Sequence, residues 1–203
     1  MNEKRSQFNS NVARSLALAE REAIDWVSPL KSDEYAEYRD QAFLDKLEIR
    51  LEKNSLDEFW PARGPQWDAL GKTSLGKVLL VEAKSHIPEL ISSLQAERTE
   101  SKAKIQRSLE ATKLAFSSHA DVDWSKRFYQ YTNRLAHLRL LRMNDVPAYL
   151  VFVYFVNDAE MRGPSTASEW QGAERLLHSY LGIGRHKLQK FIANVYLDVQ
   201  ELQ

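Results

Sequence analysis

The pattern of apolar and polar positions predicts alternating helical and extended segments along the chain. Apolar residues recur at helical spacing over residues 11–27 and again over 33–52, so both segments are predicted to be helices. The segment SLDEFWPARGPQWDAL, broken by proline and glycine, is predicted to form a short strand, a turn and another strand beginning near Trp67. The following segment, GKVLLVEAKS, is apolar on both faces up to Val81 and therefore predicts a central strand in a sheet covered on both sides.

The second half of the chain continues this alternation. Helices are predicted from about Ile87 to Gln95, with Pro88 in the first turn, and from about Ser101 to Phe116. SSHADVDWS is predicted to be a loop, KRFYQYTNRLAHLRLLRM a long helix and AYLVFVYFV a strand, followed by a helix around Glu169–Tyr180 and a final strand, FIANVYLDV. Together these elements predict a single domain over residues 1–203, of the α/β class and with a mixed central sheet.

Composition narrows the range of functions. The chain has 203 residues, which is enough for one domain with a substantial core. It contains no cysteine, which excludes disulfides, thiolate catalysis and cysteine-ligated metal sites. No apolar run approaches the roughly 20 residues of a membrane helix, and the first segment lacks the apolar block of a secretory signal. We therefore expect a cytoplasmic protein that does not interact with membranes.

Charge is balanced overall but unevenly distributed. The 28 basic and 28 acidic residues give a net charge of zero. Residues 98–142 nevertheless hold ten basic and four acidic side chains, a net of +6, and no acid occurs between Lys126 and Arg142. This region is either a solvated helix face or a surface that contacts phosphates.

The stretch WDALGKTSLGKVLLVEAKSH permits two different chemistries. GKTS resembles the end of a phosphate-binding loop, but such a loop requires a glycine five positions earlier and a helix after it. Gln66 occupies the position of that glycine, and a strand is predicted to follow. The phosphate loop is therefore rejected.

The second chemistry depends on acids at the strand ends. Side chains alternate along a strand, so Glu82 and Lys84 project from the same face. If WDAL pairs as the neighbouring strand, Asp68 reaches that face too, and two carboxylates with a lysine beside them suit Mg²⁺ or Mn²⁺. The alternative is a strand-end ion pair between Glu82 and Lys84, with Asp68 capping a turn. An acid, any residue and a lysine also occur at Glu100–Lys102, in a helix-like stretch.

WDAL followed by VLLVEAKSH resembles the PD-(D/E)XK (restriction-endonuclease-like) nuclease superfamily. The resemblance implies a core of helix, three-strand meander, helix and strand. Beyond this core, the chain is predicted to carry a helical N-terminal extension (1–32) and a helical insertion after the third strand (87–125). It implies that Asp68 and Glu82 bind the metal, that the Ala83 carbonyl completes its coordination and that Lys84 assists the attacking water. Trp67 replaces the proline of the family motif.

The resemblance suggests further site residues. Glu37 or Glu34 could supply another acid from the first core helix, although most acids on a helix face are merely solvated. Gln130 and Arg134, one turn apart on a predicted helix, are candidates for contacting nucleic acid. His86 would join them if the motif strand continues past Lys84; otherwise it is a polar residue at a strand end.

These observations lead to two hypotheses about function. The first is a Mg²⁺- or Mn²⁺-dependent phosphodiesterase that hydrolyses nucleic acid, with DNA as the expected substrate. The second is a nuclease-like scaffold that binds nucleic acid or a protein partner without cutting. The sequence leaves the oligomeric state open, including a homodimer.

Overall fold

The computed structural model describes residues 3–116 and 121–202, and within these ranges the chain forms one five-stranded sheet and six α-helices. The strands are β1 (Ile24–Ser28), β2 (Ala69–Thr73), β3 (Val78–Lys84), β4 (Ala148–Val156) and β5 (Ile192–Asp198). The helices are α1 (Glu3–Ser15), α2 (Asp40–Lys46), α3 (Leu56–Phe59), α4 (Thr99–Ala115), α5 (Tyr129–Met143) and α6 (Ala167–Leu181).

The sheet is mixed, as its pairing pattern shows. Its strands lie in the order β1-β2-β3-β4-β5. The pairs from β1 to β3 are antiparallel, and those from β3 to β5 are parallel. The helices α4 and α5 lie in the connection from β3 to β4, and α6 lies in the connection from β4 to β5. The predicted α/β class with a mixed sheet is confirmed.

The central position of β3 follows from its sequence. Leu79 and Leu80 point to opposite faces of the sheet, and both are fully buried. Leu80 belongs to the larger core, and Leu79 belongs to the smaller core on the other face. A strand that is apolar on both faces is stable only between two covering layers, so the prediction of a central strand is confirmed.

Each face of the sheet has its own helical cover. The larger core includes Leu109 of α4, Leu138 of α5 and Leu177 of α6. The smaller core contains Val12 of α1 and Leu16, which directly follows this helix. Glu82 and Lys84 follow Leu80 in the strand alternation, so both are placed on the face covered by α5.

The predicted helix over residues 11–27 is wrong in its second half. Helix α1 ends at Ser15, and Ala17 has a positive φ of 49°, which a helix does not tolerate. Residues 24–28 form strand β1 instead, where Trp26 pairs with Gly71 of β2. The Trp26 ring occupies the space that a side chain on Gly71 would fill. Pairing with a distant strand therefore overrides the local helical spacing.

The predicted helix over residues 33–52 is also wrong over most of its length. Glu34, Tyr35 and Asp40 have positive φ values, and only Asp40–Lys46 forms an α-helix. The following segment was predicted to begin with a short strand but forms α3, which Ser55 caps by accepting a hydrogen bond from the Glu58 amide at 3.4 Å. The acids of these segments serve turns and caps rather than one long helix.

The region 87–125 is less helical than predicted. Only Ile87–Leu90 forms a 3-10 turn where a helix to Gln95 was predicted. Ser92 and Leu94 instead bond to the start of α5 and to the segment before it. The Ser92 carbonyl accepts from the Tyr129 amide, and the Leu94 amide donates to the Ser125 carbonyl. The predicted loop over residues 117–125 lies partly outside the described residues, at 117–120.

The remaining elements of the second half agree with prediction. Helices α4, α5 and α6 and strands β4 and β5 lie within a few residues of their predicted positions. Across the two described ranges, no helix combines the length and apolarity needed to cross a lipid bilayer.

Candidate functional site

Asp68, Glu82 and Lys84 lie where β2 begins and β3 ends. Asp68 directly precedes β2, and its amide donates to the Val81 carbonyl at 3.2 Å. Glu82 is 3% exposed and the Lys84 side chain 11% exposed, although each is ionisable. Buried charges of this kind require partners, which their neighbours supply.

Asp68 is held against β3 by its own side chain. The Ala83 amide donates a hydrogen bond of 2.6 Å to Asp68 Oδ2. The pKa of Asp68 is raised to about 6, chiefly by burial and then by the negative charge of Glu82. The Ala83 hydrogen bond and the positive charges of Lys84 and Arg134 oppose this rise. The two carboxylates are therefore close enough to repel each other, as the predicted convergence of Asp68 and Glu82 requires.

Glu82 is paired on both oxygens. Lys84 Nζ donates to Oε1 at 2.6 Å, and Arg134 Nε donates to Oε2 at 2.6 Å. Arg134 Nη2 lies 2.5 Å from the same Oε2 atom. The Glu82–Lys84 pair matches the strand-end ion pair considered from the sequence, but Arg134 adds a second cation from α5.

Arg134 is fixed in place by several further contacts. Its guanidinium donates to the Gln66 carbonyl and to the Asn133 side chain, both at 2.8 Å, and lies 4.9 Å from the centre of the Trp67 ring. The residue is 5% exposed. Arg134, a candidate for contacting nucleic acid that the resemblance implied, thus lies at the site, but its guanidinium is engaged with Glu82.

A small cavity opens beside the ion pairs. Its volume of about 10 Å³ is close to what one water molecule or ion needs. Exposed Gln130 lines it, so this predicted contact residue is at the site. The complete lining is Glu82, Lys84, Glu89, Leu90, Gln130, Tyr131 and Phe152.

A larger cavity of about 530 Å³ lies between α2 and α3, away from these residues. Its floor includes Leu44 and Trp60. The carboxylate of Asp40 on its wall already accepts hydrogen bonds from the Arg63 and Gly64 amides. We place the candidate site at the smaller cavity, because Glu82 and Lys84 on its lining have specific charge partners and Asp68, whose pKa is raised, lies next to them.

Sequence reasoning missed Glu89 and left two alternatives open for His86. The strand ends at Lys84, so His86 does not continue the strand face but begins the 3-10 turn. Glu89 accepts hydrogen bonds from the Ser85 and His86 amides at 3.1 Å, contacts the His86 ring and lies 4.0 Å from Lys84 Nζ. The signal was available, because a glutamate after Pro88 can reach back to cap the turn that ends the strand.

The additional acids do not come from a helix. Glu37 is exposed, lies in an extended segment before the Tyr38–Trp67 bridge and accepts a hydrogen bond from Gln66 Nε2 at 2.9 Å. Glu34 is exposed at the end of a 3-10 turn. Within residues 3–116 and 121–202, no three His, Asp or Glu side chains form a group that could hold a metal ion. The candidate carboxylate ligands are therefore Asp68 and Glu82.

The basic region 98–142 is divided between structural and surface roles. Arg134 pairs with Glu82, Arg142 stacks on the Phe191 ring and Lys104 donates to the Asp57 carbonyl. Lys126 and Arg127 are exposed just before α5. Part of this charge is thus used in contacts within the fold, and contact of the exposed part with phosphates stays a prediction.

The geometry can do two things chemically. Two carboxylates with an adjacent ammonium can hold a hard divalent cation together with water and phosphate oxygens. The same side chains can also remain a closed network of buried ion pairs. Comparison of the chain with protein-family models, with curated proteins and with solved structures finds no match in any of the three.

Proposed function

We propose that the protein is a metal-dependent phosphodiesterase that hydrolyses nucleic acid, with DNA as the expected substrate. The observation that carries the proposal is the placement of Asp68 and Glu82, two mutually repelling carboxylates beside Lys84 at the ends of adjacent strands. The order of three antiparallel strands followed by a strand parallel to the third supports a restriction-endonuclease-like core.

The donor set fits Mg²⁺ or Mn²⁺. Mg²⁺ is commonly bound by one or two carboxylates, with water and substrate phosphate in its remaining positions. Asp68 and Glu82 would hold it, with the Ala83 carbonyl as a further oxygen. When bound, the cation would stabilise charge on the scissile phosphate and lower the pKa of the attacking water.

Lys84 and Arg134 would have different tasks. Arg134 is fixed by Gln66 and Asn133, so it keeps Glu82 oriented. The ammonium of Lys84, in contrast, donates to Glu82 and lies 4.0 Å from the carboxylate of Glu89. Glu89 therefore offers a second partner when a cation displaces the ammonium from Glu82. The released ammonium can then orient the attacking water and offset charge on the phosphate.

Protonation of Asp68 would regulate cation binding. Its pKa of about 6 means that the carboxylate is mostly ionised only above pH 6. Because a metal ion must compete with the proton, we expect affinity for Mn²⁺ to rise as the pH increases through this range.

The test is cleavage of labelled single- and double-stranded DNA and RNA with Mg²⁺, Mn²⁺ or EDTA. We expect cleavage that requires metal and that falls by about 10²–10³ in Lys84→Ala. The matched control is Lys102→Ala, in the second acid-X-lysine sequence on the exposed surface of α4, which should retain full activity. Equal activity in both variants would refute the assignment of Lys84.

One observation favours the non-cleaving scaffold instead. Both oxygens of Glu82 already have cationic partners, so the network is complete without a metal. Binding of Mn²⁺, followed by its paramagnetic resonance signal, separates the two functions. The nuclease requires saturable binding that Asp68→Asn abolishes, whereas a scaffold predicts no difference between wild type and variant.

A further inference from the structure

The surface around the cavity combines exposed cations with apolar side chains. Gln130 lines the cavity, and the three residues immediately before α5 are the exposed pair Lys126 and Arg127 and half-buried Phe128. We call this the mouth surface; it consists of Ile91, Lys126, Arg127, Phe128 and Tyr180. Such a mixture is typical of surfaces that bind unpaired nucleic acid strands.

The cations of the mouth surface are available to a ligand. Among the described residues, neither Lys126 nor Arg127 forms an ion pair. Nearby Asp123 accepts hydrogen bonds from the amide and hydroxyl of Ser125 within its own turn and interacts with Lys126 only through the charge–charge attraction that helps to lower the pKa of Asp123. The basic side chains can therefore contact phosphates without first breaking an internal ion pair.

The aromatic part is built from two elements. Phe128 adopts a left-handed conformation with φ of 55°, which is unfavourable for a large side chain and must be maintained by its surroundings. Its ring packs edge-to-face against Tyr180 of α6, with centroids 5.4 Å apart. Tyr180 remains 37% exposed, so this aromatic residue is accessible from solvent.

The mouth surface is tied to the cavity by backbone hydrogen bonds. The Tyr129 amide donates to the Ser92 carbonyl, and the Gln130 amide donates to the Ser92 hydroxyl at 2.9 Å. Ile91, which precedes Ser92, is 63% exposed. Leu90, which precedes Ile91, lines the cavity together with Gln130. The segments that carry the basic and apolar side chains thus adjoin, in sequence and through these hydrogen bonds, the residues that line the cavity.

The burial of Glu82 and Lys84 decides which form of nucleic acid can reach the site from this surface. Glu82 and Lys84 are 3% and 11% exposed, so a phosphate must enter a narrow opening to approach them. Duplex DNA is stiff and keeps its bases stacked, whereas a single strand can bend into a recess and expose its bases to an aromatic ring.

We propose that the mouth surface binds a single strand of nucleic acid, with Lys126 and Arg127 on its phosphates and Tyr180 stacked on a base. This inference rests on the proposed function, because it names the form of the substrate for the same site. It goes further by predicting that single strands, or strands separated at an end, are preferred to intact duplex.

The test is fluorescence anisotropy with a labelled strand of about 15 nucleotides and its matching duplex, in EDTA to prevent cleavage. We expect the strand to bind at least ~10-fold more tightly than the duplex. Lys126→Gln/Arg127→Gln should reduce the slope of log K against log salt by about 1.4, which is about 0.7 for each phosphate contact. The matched control is Arg14→Gln/Arg21→Gln. Both residues are exposed in the N-terminal segment, whose helix packs on the opposite face of the sheet. This variant should keep the wild-type slope.

The aromatic contact has its own pair of variants. Tyr180→Leu keeps apolar packing against Phe128 but removes the ring, so binding of the strand should weaken roughly 10-fold. Tyr180→Phe keeps the ring and should bind like wild type. Equal binding by both variants, or tighter binding of duplex than of strand, would overturn the inference.

The two proposals fail in different ways. Metal-dependent cleavage that is unaffected by the mouth-surface variants would overturn this inference and leave the nuclease standing. Binding of the strand with the predicted variant effects, but without cleavage under any metal, would refute the nuclease and support the mouth surface on a non-cleaving scaffold.

Discussion

Replacing Arg134 with methionine tests the buried charge network directly. The variant keeps much of the side-chain volume but removes the guanidinium from Glu82, which is 3% exposed. Breaking one partner from a buried ion pair costs about 3–5 kcal/mol, because it leaves a charge without compensation. Lys84 remains on the other oxygen of Glu82, which places the expected loss toward the lower end of that range.

Urea unfolding at pH 7 measures this loss. With a slope of about 2 kcal/mol per molar urea, the midpoint of Arg134→Met should fall by about 1.5 M or more. The control is Arg139→Met on the same helix; its guanidinium is half-buried, and no described residue forms an ion pair with it. We expect that variant to lose less than about 1 kcal/mol.

A double-mutant cycle identifies the partner. Glu82→Gln in the Arg134→Met background removes the uncompensated charge, so the two losses should be strongly non-additive, with a coupling of about 2 kcal/mol or more. Additive losses, or an Arg134→Met cost no greater than that of Arg139→Met, would refute the assigned Glu82–Arg134 pair.

Two further predictions follow from the same site. Because the pKa of Asp68 rises to about 6 on folding, the native state binds more protons than the unfolded state between about pH 4 and 6. The free energy of unfolding should therefore fall by up to about 3 kcal/mol as the pH increases through that window. Urea titrations of Asp68→Asn should lack this decrease. A side chain on Gly163 would come within 2.2 Å of the Ser85 carbonyl, so Gly163→Ala should cost about 1–3 kcal/mol and reduce cleavage by shifting the end of β3. The control Gly172→Ala, on α6 with open space around it, should be stabilising by about 0.5–1 kcal/mol. Thermal unfolding measures both variants, and equal melting temperatures for the two would contradict this prediction.

The two functional hypotheses differ in what Lys84 does. In the nuclease it must leave Glu82 when a cation binds, and Glu89 is placed to receive it. In the scaffold it remains a permanent partner of Glu82. Replacing Lys84 should therefore impair cleavage but not cation binding in the first case, whereas in the second it should mainly lower stability.

The sequence alone determined the parts of the protein whose signals are local. Continuous apolar runs identified β3 and β4, because strands buried on both faces have no polar side. The long helices α4 to α6 followed from spacing and turn residues. Strand alternation also placed Glu82 and Lys84 on one face, and the turn after Asp68 brought that acid to them, since all three residues belong to one hairpin.

Tertiary structure decided everything that depends on distant partners. β1 was predicted as helix because its spacing is ambiguous, and only pairing with β2 makes it a strand. Arg134 meets Glu82 across 52 positions of sequence because α5 packs on the sheet, and no local pattern shows that both oxygens of Glu82 become occupied. Glu37 was assigned to a helix that begins only at Asp40, and the strand ends at Lys84, so the alternative of His86 as a polar residue beyond the strand end applies. Local periodicity encodes which face of an element is apolar, but the partner of a buried charge is fixed only when two elements pack together.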